Sequence, residues 1–341
     1  MPSTLEREIR EQGDALRSRH EPGGFYAAKA AALLESAEVS YLVVAARGSS
    51  DNAAVYLQYL VGRSSGLMVA LAAPSLYADP GAAPLLPGAA VMGISQSGRS
   101  PDVVAVLAAA REQRRPTIAL TNEPDSPLAL VADVVVPLLV GEERSVAATK
   151  TYMATLQALA QIAAWLRPGR FDEGWFERLP AIVDATVQEA LEGRERFDVL
   201  RDASFFTVLG RGLHYSTARE TALKVRELSG IPSEGLSPPD LLHGPVAALA
   251  PSVALWQVGD EPAPELFGEL RERVGVSVAV SRDPELLAQA DLAIRLPAEL
   301  PDWAAPMVAV VPGQAAALRL AELRGVTIDT PHGLRKVTLT S

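Results

Sequence analysis

Three short landmarks occur twice in this chain of 341 residues, in the same order and at similar offsets. Ala-Ala-Arg-Gly at 45–48 returns as Leu-Gly-Arg-Gly at 209–212. Ala-Leu-Thr-Asn-Glu-Pro at 119–124 returns as Ala-Val-Ser-Arg-Asp-Pro at 279–284, and Ala-Asp-Val-Val-Val-Pro-Leu at 132–138 as Ala-Asp-Leu-Ala-Ile-Arg-Leu at 290–296. Coincidence supplies one such match between two α/β halves; three in register indicate a repeated domain. The length agrees, since domains run to roughly 150 residues each. Val/Ala/Leu runs at about 41–46, 89–94, 116–120 and 133–139 alternate with amphipathic stretches. That alternation predicts α/β domains with a parallel central sheet and helices on both faces, doubly wound. A polar helical segment over about 173–198 separates the halves, and the pattern restarts at 205–212.

The first copy carries a loop that the second lacks. Residues 92–102, Met-Gly-Ile-Ser-Gln-Ser-Gly-Arg-Ser-Pro-Asp, pass from an apolar strand into hydroxyls, amides and a glycine before a helix begins. Ser95, Gln96, Ser97 and Ser100 can offer donors, and Gly98 lets the backbone present N–H groups at the positive end of the next helix, the makings of a phosphate cradle. The plainer reading is a Ser-rich turn with Ser100 as N-cap and Pro101 at the first helical position. The counterpart in the second copy, Leu255-Trp256-Gln257-Val258-Gly259-Asp260, offers no hydroxyls, so one phosphate site per chain is expected. Arg47-Gly48-Ser49-Ser50 follows the first strand and opens a helix at about Asp51, which in a doubly wound sheet puts it beside the 95–100 loop. A third loop, Glu143 to Lys150, could close the pocket from another side.

In the second copy, Glu220, Lys224 and Glu227 share one face of a helix from about Tyr215 to Ser229. Such a stripe either faces water or carries chemistry. The segment 232–245 ends in a His243-Gly244-Pro245 corner, whose histidine is either bonded to its own loop or placed for proton transfer.

Composition removes several classes. A net charge of −10 without any Lys/Arg block excludes a nucleic-acid partner. Zero cysteines remove disulfides, thiolate catalysis and Cys-containing metal sites, and His20, His214, His243 and His332 show no ligand-like spacing, so neither metal nor cofactor is expected. The apolar stretches are broken well short of a membrane span, and Met1 to Arg19 lack an apolar signal core, so a cytoplasmic protein without membrane association is expected.

Together, Ala-Arg-Gly-Ser-Ser, Ser-Gln-Ser-Gly-Arg-Ser-Pro, Leu-Gly-Arg-Gly, Ala-Leu-Lys-Val-Arg-Glu-Leu-Ser, His-Gly-Pro and the terminal Pro-His-Gly-Leu-Arg-Lys-Val-Thr-Leu-Thr resemble the sugar isomerase (SIS) family. Within it, the chain is similar over about residues 25–341 to the isomerase half of glucosamine-6-phosphate synthase and to freestanding glucosamine-6-phosphate deaminases. The resemblance implies two tandem flavodoxin-like domains. They divide as a helical segment 1–24, a phosphate-binding domain 25–170, a linker helix 171–198, a second domain 199–326 and a catalytic tail 327–341. It implies that Gly48, Ser49, Ser50, Ser95, Gln96, Ser97 and Ser100 hold a sugar phosphate or amino-sugar phosphate, with Val146 and Ala147 against the sugar. It further implies that Glu227 shuttles a proton between C1 and C2, that His243 opens the sugar ring from across a homodimer interface, and that Lys336 meets the open-chain carbonyl. Arg99, Ala148 and the proline-rich 232–240 depart from the synthases' pattern. No glutaminase activity is expected of a chain without cysteine. The expected reaction is conversion of glucosamine 6-phosphate to fructose 6-phosphate and ammonia. Plain aldose-ketose isomerisation, deglycation of a fructosamine phosphate and a non-catalytic sugar-phosphate regulator are the alternatives.

Overall fold

The computed structural model describes residues 2–36, 39–79, 83–329 and 336. Two helices open the chain, α1 (Thr4–Arg10) and α2 (Gln12–Ser36). There follow β1 (Tyr41–Ala45), α3 (Ser49–Ser65), β2 (Met68–Leu71), β3 (Ala89–Ile94), α4 (Pro101–Glu112), β4 (Thr117–Thr121), α5 (Pro127–Leu130) and β5 (Val134–Pro137). Helices α6 (Lys150–Leu166) and α7 (Gly174–Glu192) precede a second series: β6 (Phe205–Gly210), α8 (Leu213–Ser229), β7 (Ser233–Leu236), α9 (Pro238–Leu242), β8 (Val253–Val258), α10 (Pro264–Arg271), β9 (Val276–Ser281), α11 (Pro284–Gln289), β10 (Leu292–Arg295) and α12 (Ala305–Leu323).

Both sheets are five-stranded and parallel throughout. The first runs β2-β1-β3-β4-β5 and the second β10-β9-β8-β6-β7, which is the same order counted from its own first strand. The predicted doubly wound α/β fold is what forms. Every residue of β3 and β8 is buried, as expected of strands covered on both faces. The edge strands β2 and β7 have four residues each and are not among the predicted strands; β7, Ser-Glu-Gly-Leu, has no apolar run, whereas β2, Met-Val-Ala-Leu, is apolar throughout.

The duplication reaches the backbone. Helices α3 and α8 each have 17 residues; each begins after a glycine of the same unusual conformation, Gly48 at φ 56°, ψ −132° and Gly212 at φ 60°, ψ −127°. Each ends on a left-handed glycine, Gly66 or Gly230. The paired Ala-Asp landmarks have an equally local cause. Asp133 Oδ2 accepts from Thr117 N and Oγ1, both at 2.9 Å, and Asp291 Oδ2 accepts from Ser277 N at 2.9 Å and Oγ at 2.7 Å, bracing the start of the preceding strand in each copy.

The chain divides into two compact units. One comprises Glu11–Glu143, Lys150–Pro180 and Arg335–Ser341 and holds the first sheet. Its helix α6 is buried on all sides except at Trp165 and lies against α2, whose backbone carbonyls at Leu16 and His20 accept from the amides of Gln157 and Gln161. The other comprises Met1–Arg10, Arg144–Thr149 and Ala181–Leu334 and holds the second sheet, with α12 packed on α8. Among the described residues, no helix is long and apolar enough to cross a membrane.

Candidate functional site

In the first-sheet unit, the chain leaves β1 for one edge of the sheet and β3 for the other, so a crevice opens between their carboxyl ends, where ligands of doubly wound folds bind. The loops after these two strands are the two nominated from sequence, and Arg47 Nε ties them by donating to Asp102 Oδ2 at 2.7 Å. The helix begins two residues earlier than expected, so Ser49 and Ser50 are the first two residues of α3 and Gly48 takes the cap position. Neither serine is an N-cap. Ser95 is buried, while Gln96, Ser97 and Ser100 are half-buried.

The 95–100 loop is rigidly seated. Gln96 O accepts from Asn122 N at 3.0 Å and from Thr121 Oγ1 at 3.2 Å, and Gly98 O accepts from Leu128 N at 3.0 Å. Gly98, at φ 59°, has no room for a β-carbon, which would overlap the Ser126 hydroxyl. One expectation needs correction: the Gly98 N–H is not presented outward but donates to Ser95 O at 3.1 Å, and Arg99 N donates to Ser97 Oγ at 3.3 Å. Ser100 occupies the N-cap position of α4, with Pro101 following, yet its hydroxyl makes no capping bond; it faces the Ser95 hydroxyl at 3.4 Å. The cradle therefore offers side-chain hydroxyls more than loop amides, at the positive ends of α3 and α4.

Lys336, from the tail, also belongs to this unit; the neighbouring residues 330–335 and 337–341 lie outside the described residues, among them His332 and most of the terminal motif. Its ammonium is bonded to Glu143 Oε2 at 2.9 Å rather than freely solvated. The fully buried Glu143 carboxylate also takes Thr151 Oγ1 at 2.6 Å and Thr151 N at 3.1 Å.

In the second-sheet unit, the charged stripe of α8 does not face water. Glu220 and Lys224 are buried, and the Glu227 side chain is 23% exposed. Lys224 Nζ lies 3.5 Å from Glu220 Oε1 and 2.5 Å from Glu227 Oε2, a cation between two carboxylates, of which only Glu227 reaches the surface. Spacing put the three on one face, and only packing against α12 could show which way that face points. His243 ends α9, its N–H donating to Pro239 O at 3.1 Å, and Gly244 turns the chain at φ 146°. Its ring is exposed and makes no hydrogen bond among the described residues, so the reading of a histidine satisfied by its own loop does not hold. In the third loop, Val146 is half-buried and Ala147 buried, and Ser145 Oγ donates to Ala147 O at 2.8 Å.

The second sheet has a matching crevice between β6 and β8, and it is furnished differently. Arg211 pairs with Glu261 at 2.7 Å, as Arg47 does with Asp102. Asp260 stands where the first copy has amide and hydroxyls, and its carboxylate accepts from Ser281 Oγ at 2.7 Å and Arg282 N at 2.9 Å, with the Arg282 guanidinium at 3.0 Å. Burial would raise this carboxyl, and those bonds more than offset it, so it stays ionised below the usual range. Donors there serve a resident carboxylate. No group of acidic and histidine side chains among the described residues could hold a metal ion.

Residues 37–164 match the SIS domain family. The glutamine–fructose-6-phosphate aminotransferase of Pyrococcus horikoshii is 31% identical over 309 residues, covering 86% of this chain and 51% of that protein. The chain spans about half the length of the curated relatives it matches. Among solved structures, the C-terminal domain of glucosamine-fructose-6-phosphate aminotransferase from Francisella tularensis superposes with a TM-score of 0.85 at 23% identity, covering 97% of this chain and 99% of that one. The glucosamine-6-phosphate deaminase of Thermotoga maritima superposes with a TM-score of 0.80 at 21% identity, covering 99% and 100%. At these identities the two likenesses are of fold.

Proposed function

We propose, from the match of residues 37–164 to the SIS domain family and the likeness to its aminotransferase relatives, that the chain is a phosphosugar isomerase that converts glucosamine 6-phosphate and water to fructose 6-phosphate and ammonia. The observation that carries this reading is the hydroxyl-lined crevice between β1 and β3, with Ser95 and Ser100 facing each other across its floor. Its donors suit a phosphate monoester. Gly48, Ser49, Ser50, Gln96 and Ser97 complete the anchor, and Val146 and Ala147 contact the sugar.

His243, exposed on its corner, relays the proton that opens the ring. Glu227 removes the proton from C2 of the open-chain aldose and returns it at C1, leaving an imine at C2. Water adds to that carbon, and ammonia leaves as the ketose carbonyl forms. Lys336 assists at C2. Lys224, buried between Glu220 and Glu227, holds the Glu227 carboxylate in place. With no cysteine in these residues, there is no thiolate here to release ammonia from glutamine. His243 acts on the partner protomer of a homodimer; its exposed ring, next to a half-exposed Leu242, fits a surface that a second copy covers.

The test is incubation of the purified protein with a panel of hexose and hexosamine 6-phosphates, with ammonia and ketose measured together. Equal amounts of both from glucosamine 6-phosphate support the reading. Ketose without ammonia replaces it with plain aldose-ketose isomerisation, and tight binding without turnover makes the protein a sensor.

A further inference from the structure

The start of the third loop is held by a glutamate of the N-terminal region. Glu8, on α1, is 4% exposed, and its two carboxylate oxygens accept from consecutive backbone amides at the loop's start: Oε1 from Arg144 N at 2.5 Å and Oε2 from Ser145 N at 3.1 Å. Just past the loop's end, the buried Lys150 donates to Glu11 Oε2 at 2.6 Å. Helix α1 is itself anchored: Asp329 accepts from Thr4 N at 3.0 Å and Leu5 N at 3.2 Å, and Glu6 pairs with Arg10 at 2.8 Å and Arg194 at 3.4 Å. A buried carboxylate that receives two adjacent amides fixes the direction of the chain as well as its position, because both oxygens are committed. The next two residues are Val146 and Ala147.

We propose that Glu8 is a positioning residue that presents Val146 and Ala147 to the sugar, and so sets affinity for the carbohydrate and not for the phosphate. This rests on the reading that the loop contacts a sugar phosphate. The geometry explains why a short amino-terminal helix, remote in sequence from every nominated group, is tied to residues 144–145. Glu8→Gln keeps the shape and one acceptor oxygen but turns an N–H donor toward a loop amide.

The test compares the full-length wild-type protein with Glu8→Gln and, as a milder variant that leaves the buried carboxylate in place, Glu11→Gln. A lost hydrogen bond to a charged group corresponds to roughly a tenfold change or more in a binding constant. The expected results for Glu8→Gln are a KM for glucosamine 6-phosphate and a Kd for fructose 6-phosphate raised about tenfold, with kcat within about twofold and the Kd of inorganic phosphate unchanged. Hydrogen exchange at the Arg144 and Ser145 amides is faster, while the strands keep their protection; Glu11→Gln moves the same quantities less. Unchanged KM and unchanged exchange at 144–145 overturn the proposal. A parallel loss of kcat, sugar affinity and phosphate affinity also overturns it, since that is what a merely structural glutamate gives. If the wild-type protein neither binds nor turns over any sugar phosphate, the functional reading fails at that step, before the variants are compared.

Discussion

Lys336 and Glu143, separated by 193 positions, meet as an ion pair of 2.9 Å in which the carboxylate is fully buried and the ammonium 24% exposed. A lysine side chain has many solvated conformations to lose, and one hydrogen-bonded anchor restricts them. The partners are unequal. Lys336 can return to water if Glu143 is changed, whereas Glu143 stays buried, with its bonds to Thr151, if Lys336 is removed. Lys336→Met is expected to lower ammonia release by about 10² or more, since it removes a charged group acting at C2 in the proposed reaction, with the Kd of inorganic phosphate unchanged. Glu143→Gln is expected to cost about 1–3 kcal/mol in a urea titration through its damaged bonds to Thr151. Steady-state kinetics and the two titrations check both, and full activity in Lys336→Met removes the lysine from the mechanism.

Glu227 and Lys224 differ in what their removal does. Glu227 is partly exposed, and its loss leaves Lys224 still beside Glu220, so Glu227→Gln is expected to fold normally and to lose about 10²–10⁴ in kcat, the usual worth of a positioned general base. Lys224→Met takes the buried ammonium from beside the wholly buried Glu220 and is expected to destabilise by about 3–5 kcal/mol. Thermal melts beside kinetics separate the two patterns: activity lost without stability for Glu227, both lost for Lys224.

Two glycines of the cradle are required for different reasons. Gly48 has open space around the position a β-carbon would take, so Gly48→Ala meets only the strain of φ 56°, about 1–3 kcal/mol. Gly98→Ala adds an overlap with Ser126, whose hydroxyl caps α5, and is expected to cost about 2–5 kcal/mol and to displace the Ser95–Ser100 pair. Urea midpoints rank the two variants, and sugar-phosphate affinity falls further in Gly98→Ala; equal costs would show that the overlap relaxes freely.

What the sequence disclosed here depended on whether a feature is local. Gly48 and Gly212 recur because the same turn recurs, and Asp133 and Asp291 because the same strand start is braced, so the repeat and the sheets are visible as short motifs. Ser95, Gln96, Ser97 and Ser100 are contiguous, and their place at a strand's carboxyl end follows from the fold. Burial of Glu220 and Lys224 is not local, since spacing fixes a face and not its direction. The bonds of Lys336 to Glu143, of Glu8 to Arg144 and of Arg47 to Asp102 join segments that no periodicity connects. Edge strand β7 is not legible because its four residues, Ser-Glu-Gly-Leu, carry no apolar run; β2, Met-Val-Ala-Leu, is apolar throughout but only four residues long.

His214 follows Gly212 at the start of α8, beneath the second crevice, where the first copy has Ser50. Burial, above all, pushes its pKa down to about 4 from the usual 6.5; Arg282 lowers it too, and Asp260 and Asp302 oppose the shift. The folded protein therefore holds this imidazole neutral where the unfolded chain would protonate it. The unfolded state binds the extra proton between pH 6.5 and 4, so stability is full above pH 6.5 and falls as pH drops through that window, by up to about 3 kcal/mol in all. His214→Gln, which cannot take up a proton, is expected to flatten the urea midpoint across the same window while leaving the acid unfolding of the carboxylates, at lower pH, in place. A wild-type midpoint that is level from pH 6.5 to 4 would show that water reaches the ring and that His214 is not held neutral by burial.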